Sequence, residues 1–202
     1  MEADTATGST PPRDPALVAE LNDLIQLDHD AVEGYTVAIN ALKSDAYREQ
    51  LVAFRADHKR HIEELGACVR LRGGMAAEMP HPTGLLKIAV QGVGAAGSLA
   101  AGDPAVLLAF KAIEGQTRDK YRRAATRPFP ADVADVVQRA AADEEKHYEW
   151  VHSTLEATGH GEGTAHGMAA RAVEGINKLI ADPMERVGRE VMRMWEENRP
   201  KR

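Results

Sequence analysis

The chain has 202 residues, of which 44% are hydrophobic and 28% charged, a balance that fits one folded domain with a sizeable core and excludes a disordered chain. Aromatic residues are only 4% and alanine is abundant, which favours helices packed on small side chains over a β-sandwich. The formal charge is -6 with both signs mixed throughout, so there is no basic stripe for nucleic acid.

Residues 1–13 are rich in Thr, Pro and Gly and are expected to be disordered. They are acidic and carry no apolar run, so no signal peptide is expected; with the lone Cys68, this gives a cytoplasmic, reducing location as the expectation. Asp14-Pro15 opens a first helix, because Asp caps free backbone N–H groups and proline at the first helical position loses nothing. Leu17, Leu21, Leu24, Leu27 and Val32 continue it at helical spacing to about Leu42. Ser44 opens a second helix through Leu51, Phe54, His58, His61 and Leu65, and Gly73-Gly74 closes it. Cys68 reads as core packing on that helix.

A long connection follows. Its segment from Gly84, GLLKIAVQGVGAAGSLAAG, nearly has the length of a membrane span, but Lys87, Gln91 and five glycines argue for a buried or crossover helix instead. Asp103-Pro104 repeats the cap signal and opens a third helix through Leu108, Ile113 and Tyr121, which Pro128-Phe129-Pro130 ends. A fourth helix is expected from about Ala131 to Ala157. Residues 14–158 thus read as an all-α, four-helix bundle with a long crossover, and 159–202 as a C-terminal helical extension. In that extension Ile180, Met184, Val187, Val191 and Trp195 form a docking stripe, suited either to the chain's own bundle or to a subunit contact in a dimer or larger homo-oligomer. Its polar side mixes Glu185, Arg186, Arg189 and Glu190, unlike a membrane-surface helix.

An internal repeat carries the chemistry. Asp28 and Tyr35 are seven residues apart, as are Glu114 and Tyr121, so each acid shares a helix face with its tyrosine. DHKRHIEEL from Asp57 matches DEEKHYEWV from Asp143, pairing Asp57 with Asp143, His61 with His147 and Glu63 with Glu149. One offset of 86 residues links all these pairs, which implies two helix hairpins of common design about a pseudo-twofold axis. Glu144 and His147, three apart, project from one face. Glu-x-x-His is how carboxylate-bridged metal bundles deliver two ligands from one helix, with single carboxylates from partner helices at positions such as Asp28 and Glu114. Tyr35 and Tyr121 are placed to hydrogen-bond and orient a ligand carboxylate.

On these motifs the sequence from Leu17 to Leu155 resembles the ferritin-like superfamily, in the style of rubrerythrins and bacterioferritins. DEEKHYEW at Asp143 is similar to the last ligand helix of bacterioferritins, and LNDLIQLDHDAVEGY at Leu21 to their first, with Asp28 where they carry Glu. The resemblance implies a two-metal iron or manganese site that handles oxygen or peroxide, or oxidises ferrous ions for storage. The second helix departs from the pattern, reading His58-x-x-His61 where the family has Glu-x-x-His. Asp28, His58, His61, Glu114, Glu144 and His147 are then the expected ligands, with three carboxylates instead of four. Iron, manganese or zinc suits this mixed set, and a second ion should bind more weakly than the first. His29, Asp30 and Glu33 are expected on a solvated face, and His81, His152, His160 and His166 at the surface. A metal-free polar core, and a non-enzymatic bundle with a structural or degraded metal site that acts through a partner-binding C-terminal helix, are the competing readings.

Overall fold

The computed structural model describes residues 14–80 and 102–161, which form four helices and no strand. These are α1 (Pro15–Ala41), α2 (Asp45–Leu71), α3 (Asp103–Ala125) and α4 (Ala131–Ala157). The N-terminal segment, the crossover from 81 to 101 and the extension beyond 161, with its Ile180–Trp195 stripe, His81 and His166, lie outside the described residues. Among the described helices, none is long and apolar enough to cross a membrane.

Local chemistry accounts for most helix ends. Asp14 accepts hydrogen bonds from the backbone N–H groups of Ala16 and Leu17, both at 3.1 Å, and Pro15 follows it. Ser44 accepts from Tyr47 N–H at 3.4 Å. Gly73, at φ 67°, takes the left-handed turn after α2, and its N–H donates to Arg70 O at 2.9 Å. Asp103 departs from expectation. It begins α3 as a helical residue, with Gly102 in the capping position, and its carboxylate reaches back to the α1–α2 turn. There it accepts the N–H groups of Lys43 (2.7 Å) and Ser44 (2.9 Å), so this acid ties the two hairpins together.

α1 packs on α2 and α3, and α4 packs on α3 and α2, so α2 and α3 take opposite corners. Two apolar layers fill the interior. One holds Leu21, Ile25, Leu65, Val69, Val133 and Val137, with Cys68 among them; the other holds Ala31, Leu51, Phe54, Phe110, Val151 and Leu155. Each fully buried large apolar side chain stabilises the fold by about 1.5–3 kcal/mol. α1 and α4 pass from the first layer to the second, whereas α2 and α3 run the other way. The chain therefore leaves α2 at one end of the bundle and enters α3 at the other, which is why a long crossover is required. At the start of α4, Asp132 receives two hydrogen bonds from the buried Arg72 (2.8 and 2.9 Å), pinning α2 to α4.

Candidate metal centre

Between the two apolar layers each helix contributes polar side chains: Asp28 from α1, His58 and His61 from α2, Glu114 from α3, Glu144 and His147 from α4. All six are 0–1% exposed. Their spacing explains the convergence, since His58 and His61, like Glu144 and His147, stand one helical turn apart and face the bundle axis together. Tyr35 and Tyr121, both 0% exposed, border the same layer.

The two halves follow the repeat. Tyr121 Oη donates to Asp28 Oδ2 at 2.5 Å, fixing one carboxylate oxygen and leaving Oδ1 towards the histidines. His58 Nδ1 lies 2.8 Å from Asp28 Oδ1, and His61 Nδ1 lies 3.5 Å from it. Glu144 Oε1 lies 3.5 Å from His58 Nδ1 and 3.6 Å from His61 Nδ1. In the other half His147 Nδ1 stands 3.7 Å from Glu114 Oε2 and 3.4 Å from the Tyr35 hydroxyl. Tyr121 thus bonds the Asp28 carboxylate, while the Tyr35 hydroxyl lies between His147 and the Glu114 carboxyl.

Two aspartates complete the arrangement, and the sequence reading assigned them no role. Asp143 Oδ2 meets His61 Nε2 at 3.3 Å, and Asp57 Oδ2 meets His147 Nε2 at 3.0 Å. A carboxylate on the outer ring nitrogen orients an imidazole and leaves its inner nitrogen free to ligate. Arg60 bridges both acids, 2.6 Å from Asp57 Oδ1 and 2.5 Å from Asp143 Oδ2. The signal was present in the shared offset of Asp57 and Asp143. Each acid, however, serves the histidine of the opposite hairpin, which helix periodicity alone does not show.

Burial and neighbouring charge set the protonation states. Burial pushes Glu144 well above the usual carboxyl range, with the negative charges of Glu114 and Asp28 adding to it. Burial likewise raises Glu114 to about 7. For Asp28 the same desolvation is outweighed by His58 and His61, whose hydrogen bonds and charge hold it below the ordinary value. Burial and the nearby His58 carry His147 down to about 3, against the pull of Asp57. For His61 the burial penalty is overcome by Asp28 and Asp143, which raise it. Tyr35 and Tyr121, raised well above 10 by burial first and by adjacent carboxylates second, remain protonated donors.

These groups form two overlapping sets of possible ligands. Asp28, His58, His61 and Glu144 each offer an atom within 4.8 Å of the other three, as do His58, Glu114, Glu144 and His147. Both sets could hold a metal ion. His29, Asp30 and Glu33 are half-buried and join neither set. The ring of His29 instead meets Ala77 O at 3.3 Å, where the connection after α2 runs back along α1. His152 is not a free surface residue: its Nδ1 accepts from Lys111 Nζ at 3.0 Å, and its ring stacks on Tyr148 between α3 and α4. His160 is also half-buried.

No family model matches the chain, and no curated protein or solved structure matches it.

Proposed function

We propose that the protein is a ferritin-like metalloprotein whose buried centre performs redox chemistry with oxygen or peroxide on iron or manganese. The observation that supports this most is the convergence of buried ligand atoms lacking any hydrogen-bond partner. They are both oxygens of Glu114, both oxygens of Glu144 and His58 Nε2. Each such atom costs about 1–3 kcal/mol when left unsatisfied, so a bundle retaining several in one layer calls for a cation there. The donor set is imidazole and carboxylate without thiolate, since Cys68 lies in an apolar layer, and this chemistry suits iron, manganese or zinc.

When bound, iron or manganese would supply one-electron steps towards oxygen or peroxide. The protein's own contribution is to hold and orient. Tyr121 fixes Asp28, Asp143 holds the outer nitrogen of His61, and Asp57 holds that of His147. In the metal-free protein Glu114, raised to about 7 by burial, can hold a proton at its carboxyl, which a bound cation would displace. Phe54 and Phe110, 1% and 2% exposed, help exclude water on one side. A cytoplasmic homo-oligomer, a dimer or larger, belongs to the same proposal.

Ferrous ion and oxygen, or peroxide with a reductant, offered to metal-loaded protein test the reading. Each ferrous ion should lose one electron as oxygen is reduced, at a rate well above that of free ion. Protein that holds metal yet leaves both oxidants untouched would contradict the redox part. The complete burial of all six side chains favours a second reading, a structural ion in a non-enzymatic bundle. Metal-loaded protein that gains stability and turns over nothing would select it.

A further inference from the structure

The two ligand sets share His58 and Glu144 yet are unequal, because the repeat breaks at that pair. The offset that aligns Asp57 with Asp143 also aligns His58 with Glu144. A carboxylate can give one oxygen to each of two ions, whereas an imidazole nitrogen serves one. Only Glu144 can therefore bridge.

Geometry separates the sets further. Asp28 Oδ1, His58 Nδ1, His61 Nδ1 and Glu144 Oε1 stand 2.8, 3.5, 3.5 and 3.6 Å apart in four of their pairings. Donor atoms about 2.0–2.2 Å from one ion are neighbours at roughly 3.0–3.5 Å, so these four already approximate a coordination shell. Two of them are held from behind, Asp28 by Tyr121 and His61 by Asp143. In the other half Asp57 holds His147 from behind, while Glu114, like the shared Glu144, has no close hydrogen-bond partner on either oxygen.

Charge points the same way. One divalent ion is neutralised by Asp28 and Glu144. A second adds two positive charges against Glu114 alone, in a layer almost closed to water.

We propose that this chain keeps one resident divalent ion, among Asp28, His58, His61 and Glu144, and that Glu114 and His147 offer only a weak, exchangeable seat for a second. This rests on the metal reading above and names which half of the centre is permanently filled. A missing unit charge several ångström from a divalent ion, at an effective dielectric of about 20, weakens the second ion by at least about a hundredfold.

Titration of the metal-free full chain with manganese(II) chloride, read by calorimetry and by the electron paramagnetic resonance of free and bound ion, tests the proposal. One tight equivalent is expected, with any second at least about tenfold weaker. Glu114→Gln should spare the tight equivalent, and Asp28→Asn should weaken it at least about tenfold. His58→Glu, which restores the fourth carboxylate, should bring the second equivalent close to the first and produce a spin-coupled signal. Circular dichroism shows which variants fold, and the wild type with Glu114→Gln decides the matter if the other two do not. Two equal tight equivalents in the wild type overturn the proposal while leaving the metal reading intact. Loss of the tight equivalent in folded Glu114→Gln also overturns it. No binding at all overturns the metal reading itself.

Discussion

Replacing Tyr121 by Phe removes one atom from the buried layer and leaves the ring in place. That oxygen donates to Asp28 Oδ2 at 2.5 Å, and both residues are 0% exposed. A hydrogen bond to a charged group stabilises by about 1.5–3 kcal/mol, and its loss leaves a buried carboxylate oxygen unsatisfied. Because the ring volume is unchanged, little cavity cost is added. The metal-free variant should therefore lose about 2 kcal/mol, or roughly 4–8 °C in Tm for a chain of this size. The repeat supplies the control. Tyr35 is equally buried, but its hydroxyl lies 3.4 Å from His147 Nδ1 and meets the Glu114 carboxyl only loosely, so Tyr35→Phe should cost less, about 1 kcal/mol. Urea and thermal unfolding of the two metal-free variants measure the difference. Equal losses would refute the claim that Tyr121 specifically anchors Asp28.

Further outcomes follow from the same geometry. Arg60→Ala releases both Asp57 and Asp143; because the arginine side chain is 45% exposed, stability should change by less than about 1 kcal/mol, while manganese affinity falls roughly 10- to 100-fold in calorimetry. Glu114→Gln removes a carboxyl raised to about 7 from an ordinary 4.5. The native state then binds that proton more tightly than the unfolded one, so wild-type stability falls as pH rises from 4.5 to 7, and the difference levels off above. Metal-free Glu114→Gln should gain on wild type across that window in urea melts at several pH values. His147, lowered to about 3, acts in the opposite sense but is present in both proteins. Asp103→Ala takes the acceptor from two backbone N–H groups in the α1–α2 turn and should cost about 1–2 kcal/mol, whereas Asp103→Asn should recover part of this.

The helices were legible because their signals are local: Asp14-Pro15, Ser44, the Gly73 turn and the proline run at 128–130 each act within a few residues of themselves. The polar layer was legible because most of it recurs at one offset in both hairpins, and an offset shared by four helices is visible without knowledge of packing. What escaped depends on contacts far apart in the chain. Asp103 carries the same local signal as Asp14, yet packing draws its carboxylate to Lys43 and Ser44, sixty residues away. Asp57 and Asp143 each sit four residues before a histidine on their own helix but serve the histidine of the other hairpin. His152 has no place in the repeat, and only the packing of α3 on α4 brings Lys111 to it.

Elemental analysis of the protein purified without added metal, and again after anaerobic ferrous loading, tests the metal centre most directly. About one tightly held equivalent of iron, manganese or zinc is predicted, lost in a His61→Ala, His147→Ala double variant that still folds. Protein that carries no metal in either sample would show the buried cluster to be a metal-free polar core and would contradict the account.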